Sequence, residues 1–139
     1  MKDAIDLLGR VFLSFIFLYE AYDTIAFTKD TKALMTDYGI LWNQDLLVWG
    51  GATVLILGGL LILIGYRSSF GAILLLMYWI PITLIVHDFW NTTGEVRRIE
   101  AIWFMKNLAI TGGLLMVLVN GSGRYSVKKL FATSRVRGA

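Results

Sequence analysis

The sequence predicts an all-α polytopic membrane protein, an antiparallel bundle of four transmembrane helices with a short interfacial helix in the first outer loop. Composition carries this prediction, because 57% of the 139 residues are hydrophobic and only 17% are charged, against about a quarter in soluble domains. Four crossings of about 20 residues each would take up most of the chain. A soluble enzyme and a disordered segment are thereby excluded, and residues 1–139 are expected to form a single membrane domain.

Four apolar runs are each long enough to cross a bilayer, and none shows the alternating pattern of a β-barrel strand. The predicted helices cover residues of about 5–27, 46–66, 69–90 and 101–120. The second and third runs are separated only by Arg67 and Ser68, which predicts a tight antiparallel hairpin.

The connection at 28–45 is long for a loop, and its apolar side chains recur at helical spacing. These residues are Leu34, Met35, Tyr38, Leu41 and Trp42. The spacing predicts a short helix that lies in the membrane interface over the outer mouth of the bundle. An amphipathic loop held down by Trp42 is the alternative, because Gly39 interrupts the pattern.

Glycines recur every seven residues in the second run, at Gly51, Gly58 and Gly65. Small residues on one helix face let a neighbouring backbone approach closely, which favours helix association in lipid. The counterpart of this face is expected at Gly112 and Gly113 in the fourth run. A flat ligand lying against the glycines is the alternative interpretation.

Orientation is predicted from Lys and Arg in short segments, which concentrate on the cytoplasmic side. With both termini inside, the inner side carries Lys2, Arg67, Arg124, Lys128, Lys129, Arg135 and Arg137, and the outer side carries Lys29, Lys32, Arg97 and Arg98. This asymmetry favours an N-in, C-in topology, with the basic tail 121–139 on anionic headgroups. Arg10 is expected to extend to the inner headgroups.

Ionisable residues in and near the spans are the main functional signal, since a charge at a helix centre costs about 2.5 to 3.5 kcal/mol. They gather toward the outer ends of three helices, as Glu20 and Asp23, His87 and Asp88, and Glu100 and Lys106. The candidate proton relay comprises Glu20, Asp23, His87 and Asp88, because histidine titrates near neutrality.

Helical spacing selects a second set of candidates on the fourth helix. Glu100, Phe104, Asn107 and Thr111 form one stripe that is expected to face the bundle interior. The candidate ligand-binding residues are His87, Glu100, Lys106, Asn107 and Thr111. The expected pairs join Lys106 to Glu20 or Asp23, and His87 to Glu100 or Asp23.

Structural alternatives stand beside each of these assignments. Lys106 lies about 100° from the Asn107 stripe and can instead extend along the helix toward the interface. Asp88 can be a solvated interface residue, and His87 can be an interhelical hydrogen-bonding group. Glu20 can belong to a purely structural salt bridge.

Several chemistries are excluded by what the sequence lacks. It has no cysteine and a single histidine, His87, so thiol catalysis, iron–sulfur ligation, Cys-based zinc sites and a bis-His haem within this chain are excluded. No metal site is assigned, although Glu20, Asp23, His87 and Asp88 could together hold an ion. Nucleic-acid binding is not expected, because the cytoplasmic edge and tail account for the net charge of +3.

Five ordered segments match a known pattern: LGR at 8–10, a Gly/Leu-rich run at 57–65, HDFW at 87–90, FMKNLAITGGL at 104–114 and GSGRYS at 121–126. On these segments the chain resembles the DoxX family of small four-helix membrane proteins, which includes DoxD-like subunits and MauE-like proteins. The resemblance implies a four-helix bundle in a bacterial cytoplasmic membrane. It also implies association with redox systems, such as thiosulfate:quinone oxidoreduction or maturation of periplasmic redox enzymes. Its pattern positions here are His87, Asp88, Lys106, Asn107 and Arg124.

The sequence therefore predicts a redox-associated, quinone-interacting subunit of a larger membrane complex, rather than a stand-alone enzyme. It predicts no intrinsic cofactor, with quinone as the ligand and a partner protein as the source of electrons. The expected partners are membrane lipids and other membrane or periplasmic subunits, and a homo-oligomer is left open. The alternatives are a non-catalytic accessory or assembly subunit and a small-molecule transporter or pore.

Overall fold

A computed structural model describes residues 1–123 and 125–126, so most of the predicted basic tail lies outside the described residues. The helices are α1 (Lys2–Ala26), α2 (Thr28–Asp37), α3 (Gln44–Ile64), α4 (Ser68–Val86) and α5 (Gly94–Asn120), with a short 3₁₀ helix at Phe89–Asn91 between the last two. No strand occurs in this part of the chain. The predicted all-α class is confirmed.

Three helical segments within the described ranges are long and apolar enough to cross a membrane: Gln44–Ile64, Ser68–Asn91 and Gly94–Asn120. The predicted first span, α1, has 25 residues and thus the length to cross. Its composition is less apolar, because Arg10, Glu20 and Asp23 lie within it. A helical membrane bundle is therefore established, and the crossing by α1 stays a prediction.

Each long helix of the bundle packs mainly against the long helix that follows it in the chain. α1 packs along α3, α3 along α4 and α4 along α5, whereas α1 and α5 touch at few points. α1 and α3 run antiparallel, since Arg10 reaches Ile62 while Leu18, two turns later, faces Gly59. The core is a cluster in which Phe17 of α1 meets Trp79 of α4 edge to face, with ring centroids 5.1 Å apart.

Two of the three repeating glycines of α3, Gly51 and Gly58, pack against α4, so the expected counterpart in α5 is wrong. The third, Gly65, ends α3 and faces Arg10 and Ser126. A Cβ added to Gly58 would lie 2.5 Å from Cγ of Leu75, and one on Gly71 would lie 2.9 Å from the carbonyl oxygen of Gly58. Gly51 faces the ring of Tyr78 in the same interface. Because α4 fills this face, it is a packing surface and leaves no room for a flat ligand.

The ends of the last two long helices differ from the prediction. α4 ends at Val86 instead of about Trp90, and α5 begins at Gly94 instead of about 101. The amide of Asn91 donates to Asp88 and the hydroxyl of Thr92 donates to the carbonyl of Phe89. Such local side-chain bonds compete with helical hydrogen bonds and favour a turn here.

A short amphipathic helix, α2, is present in the predicted connection and has no buried residue, but it ends at Asp37, so Tyr38, Leu41 and Trp42 lie beyond it. Its place in the membrane interface stays a prediction. Lys32 Nζ lies 2.5 Å from Asp45 Oδ1 at the start of α3. The amide of Gln44 donates to the hydroxyl of Thr36 at 2.9 Å and to the carbonyl of Ile40 at 2.8 Å. These contacts hold α2 over the end of the bundle where α1 and α4 finish, hereafter the His87 end; the opposite end is the Arg10 end.

Candidate functional site

The centre of the candidate site is a contact between the end of α4 and the second turn of α5. Nδ1 of His87 lies 2.7 Å from Oε2 of Glu100, and the two side chains are 20% and 24% exposed. This is one of the pairs that the sequence predicts. The other ring nitrogen, Nε2, has no hydrogen-bond partner among the described residues. A carboxylate on Nδ1 fixes the ring orientation and leaves Nε2 for an external group.

Carboxylates of α1 lie close to this pair. Glu20 is half-buried and near enough to interact electrostatically with both His87 and Asp23. Tyr78 of α4 also lies within electrostatic range of Glu20. Electrostatic range thus connects Glu20 to His87 and to Asp23, and a shared site of Glu20, Asp23, His87 and Glu100 stays a prediction.

A hydrogen-bonded layer lies beneath the His87–Glu100 pair and joins α4 to α5. The buried amide of Asn107 donates to the hydroxyl of Thr83 at 3.2 Å. The carbonyl of Asn107 accepts from the indole of Trp79 at 3.4 Å and from the hydroxyl of Thr111 at 2.9 Å. Asn107 and Thr111 thus face the interior as predicted, and their polar groups bond to protein neighbours.

Tyr38, just after α2, covers the same end of the bundle. Its hydroxyl donates to the carbonyl of Val86, the last residue of α4, at 2.8 Å. Burial, followed by the charges of Glu100, Asp88 and Asp37, raises the pKa of Tyr38. Because its pKa is raised, the Tyr38 hydroxyl keeps its proton, and with it the hydrogen bond to Val86, at any pH at which an ordinary tyrosine is protonated.

Lys106 does not join the interior cluster, and its expected pairing with Glu20 or Asp23 is wrong. Its side chain is exposed on the outer face of α5, where Nζ lies 4.2 Å from the ring centroid of Trp103. The reason is its angular position, about 100° from Asn107 on the helix. Trp103 itself also stacks on the ring of His87, at a centroid distance of 6.4 Å.

Asp88 lies in the turn after α4, where it accepts from the amide of Asn91 at 2.8 Å. Among the residues that the structure describes, no three His, Asp or Glu side chains come together as ligands for a metal ion. The ion site that Glu20, Asp23, His87 and Asp88 could have formed is therefore not assembled.

A second polar cluster, at the Arg10 end, has no counterpart in the sequence predictions. Arg10 is 2% exposed, so its expected extension into headgroups is wrong. Its guanidinium donates to Asp6 at 3.1 Å, to the carbonyl of Ile62 at 3.2 Å and to the carbonyl of Tyr125 at 2.5 Å. Asp6, four residues earlier on the same helix face, is the signal by which this cluster could have been found.

The loose contact between α1 and α5 leaves a groove of about 560 Å³ beside the Arg10 cluster. One end is polar, with Asp6, Arg10 and Asn120, and the walls include Leu13 and Met116. The described residues at 121–123 and 125–126 lie across this end of the bundle, since Ser122 bonds to Ser68 and Tyr125 bonds to Arg10.

A family model for DoxX matches residues 5–88, which is more than half of the chain. The chain belongs to the DoxX family. The DoxX match spans α1 to the end of α4 and includes His87 and Arg10, while α5, which supplies Glu100, lies beyond the matched residues.

Relatives of this DoxX chain include two inner membrane proteins of Escherichia coli K12. YphA is 30% identical over 70 residues, half of each chain, and YqjF is 25% identical over 134 residues, 94% of each chain. The ER-derived vesicles protein ERV29 of Saccharomyces cerevisiae is 30% identical over 86 residues, 60% of this chain and 28% of ERV29. The chain thus spans half of YphA and less of ERV29. No solved structure matches it significantly.

Proposed function

We propose that this DoxX-family protein is a quinone-interacting, redox-associated subunit of a larger complex in the bacterial inner membrane. The observation that carries the proposal is the 2.7 Å contact between His87 Nδ1 and Glu100 Oε2, which leaves Nε2 without a partner among the described residues. His87 lies near the end of the segment Ser68–Asn91, which is long and apolar enough to cross a membrane.

In this proposal His87 Nε2 forms a hydrogen bond with one quinone oxygen. Glu100 orients the imidazole through its contact with Nδ1, so that Nε2 faces the bound quinone. Glu20 and Asp23 exchange that proton with the aqueous phase on the same side. Asn107 and Thr111 support the site from below, because their polar groups already bond within the α4–α5 layer.

Electron transfer in this proposal belongs to a partner protein. The chain has no cysteine and one histidine, and protein-held iron–sulfur clusters and bis-His haems require more such ligands. The chain would therefore bind quinone and handle its protons, and it would act as a subunit and not as a stand-alone enzyme.

A second candidate is a non-catalytic accessory or assembly subunit. It is favoured by the fact that the His87–Glu100 contact, like Asn107–Thr83, joins α4 to α5. A contact of this kind stabilises the helix pair whether or not a ligand binds.

The test uses the native complex, purified through this subunit from membranes, with its bound quinones identified by mass spectrometry. Quinol oxidation by the complex is then compared between wild type and His87→Gln. We expect the rate to fall about a hundredfold, the size of a typical general acid–base contribution. Glu100→Gln is expected to lower the rate as well, whereas its matched control Glu95→Gln, at an exposed acid five residues earlier on α5, should leave the rate unchanged.

The two candidates differ in what the variants change. If His87→Gln lowers the yield of assembled complex but not the turnover of the complex that forms, the accessory role is correct. If neither yield nor turnover changes and no quinone co-purifies, the proposed quinone site is wrong.

A further inference from the structure

The outward surface of α5 carries a second groove, of about 590 Å³. We call it the α5 basic face, and it is lined by Arg98, Ala101, Ile102, Met105, Lys106 and Ala109. Two cations and four apolar residues line it, and no acid does. Neither His87 nor Glu100 lines it, although Trp103, which stacks on His87, lies next to Lys106.

The position of Lys106 on this face is costly without a partner. Its neighbour Asn107 bonds to Thr83, which lies inside the spanning segment. Lys106 therefore begins within the apolar layer, yet it forms no ion pair with any residue that the structure describes. A lysine at this depth is stabilised when its ammonium reaches the interface or an anion.

The lysine side chain extends in the direction that brings its charge toward the interface. Nζ lies 4.2 Å from the ring centroid of Trp103, three residues nearer the start of α5. Arg98 lies a further turn and a half in the same direction, exposed and without an ion pair among the described residues. Lys106 and Arg98 therefore place their charges near the start of α5, and Ile102 and Met105 lie between them on the same face.

We propose that the α5 basic face binds one anionic phospholipid, whose phosphate lies between Lys106 and Arg98 and whose acyl chain lies along Ile102, Met105 and Ala109. Cations next to an apolar groove match a phosphate joined to a hydrocarbon chain. A second copy of this chain is disfavoured as the occupant, because pairing two such faces would bring four cations together without an acid. The inference does not rest on the proposed redox function.

The experiment uses the full chain purified in mild detergent. It is supplied with equal amounts of phosphatidylglycerol and phosphatidylcholine, and the retained lipid is read by native mass spectrometry. We expect wild type to retain phosphatidylglycerol preferentially. Lys106→Gln and Arg98→Gln should each weaken that preference about fivefold, the contribution of one cation at an anionic surface. Lys106→Arg, which keeps the charge, should restore it.

The matched controls are Arg97→Gln, next to Arg98 but not in the groove, and Lys29→Gln on α2; both residues are exposed. Neither should change the lipid preference. Equal loss in controls and groove variants would mean general charge attraction and would overturn the proposal, as would equal retention of both lipids by wild type. Displacement of the lipid by inorganic phosphate alone would also overturn it, because the apolar part of the groove would then contribute nothing.

Discussion

Arg10 shows how a cation can be accommodated inside a membrane bundle. A guanidinium has five N–H donors in a planar fork, and Arg10 directs them to one carboxylate and two main-chain carbonyls on three separate segments. Asp6 supplies the compensating charge. The Ile62 carbonyl lies in the last turn of α3, where it also accepts from the amide of Gly65 at 3.2 Å.

We predict that Arg10→Leu destabilises the protein by about 3 kcal/mol, because it removes the hydrogen bonds of a buried guanidinium to Asp6, Ile62 and Tyr125 and leaves Asp6 without its partner. Arg10→Lys should recover part of this loss, since one ammonium cannot reach all three acceptors with the same geometry. The measurement is unfolding in increasing SDS, followed by far-UV circular dichroism.

Arg97→Leu is the matched control, because it replaces an arginine at an exposed position near the start of α5. It should change stability by less than about 0.5 kcal/mol. Equal stability of Arg10→Leu and Arg97→Leu would show that the three contacts of Arg10 are energetically unimportant.

At the scale of single residues, the sequence predicts a contact when both partners are side chains. His87 and Glu100 could be paired because each is identifiable and each lies at a helix end. The buried position of Arg10 is not predicted, because two of its acceptors are main-chain carbonyls, and every residue type has such a carbonyl. For Lys106 the sequence leaves an interior pairing and an outer position open, and the structure shows the outer position.

Among the helical elements, α3 and α4 approach each other closely at their glycines. At Gly58 and Gly71 each backbone lies against the other helix, so a Cβ on Gly71 would lie only 2.9 Å from the carbonyl oxygen of Gly58. Backbone cannot move aside as a flexible side chain can. The distance between these two helices is therefore set by the absence of two methyl groups.

We predict that Gly71→Ala costs about 2 kcal/mol, because the added methyl must push α4 away from α3. Unfolding in SDS gives the free-energy change. Gly50→Ala is the matched control, since a Cβ there has no neighbour within 4 Å. It should be neutral or stabilise by up to about 1 kcal/mol through helix propensity. If both alanines are equally tolerated, the interface is more plastic than the packing distances indicate.

Periodicity predicted which segments are helical, including the amphipathic α2, but it did not predict where α4 ends and α5 begins. Hydropathy changes gradually across 87–100, so it gives no sharp boundary there. The boundary comes from side-chain hydrogen bonds of Asp88, Asn91 and Thr92. The glycine repeat predicted close packing but not the partner, because several antiparallel neighbours satisfy the same pattern.

For the whole molecule, composition was sufficient to predict a membrane bundle, and charge asymmetry gives the expected N-in, C-in topology. The structure separates two polar ends: His87, Glu100 and α2 at one, and Arg10 with Asp6 at the other. Under that topology, which stays a prediction, the His87 end faces the periplasm and the Arg10 end faces the cytoplasm.

The absence of cysteine makes this topology directly measurable, because any introduced cysteine is the sole thiol. We predict that Thr93→Cys, before α5, reacts with a membrane-impermeant maleimide in cells whose outer membrane has been permeabilised. Tyr66→Cys, in the exposed α3–α4 turn, should react only after the inner membrane is opened. The reverse labelling pattern would mean that the His87 end faces the cytoplasm.

The bond from Arg10 to the carbonyl of Tyr125 joins positions 115 residues apart, and this separation has a consequence for synthesis. A ribosome making the chain delivers Arg10 long before it delivers Tyr125. Until α5 has been made and the segment after it has emerged, Arg10 is neutralised by Asp6 but lacks its third acceptor. This bond can therefore close only after the ribosome has made all five helices from α1 to α5.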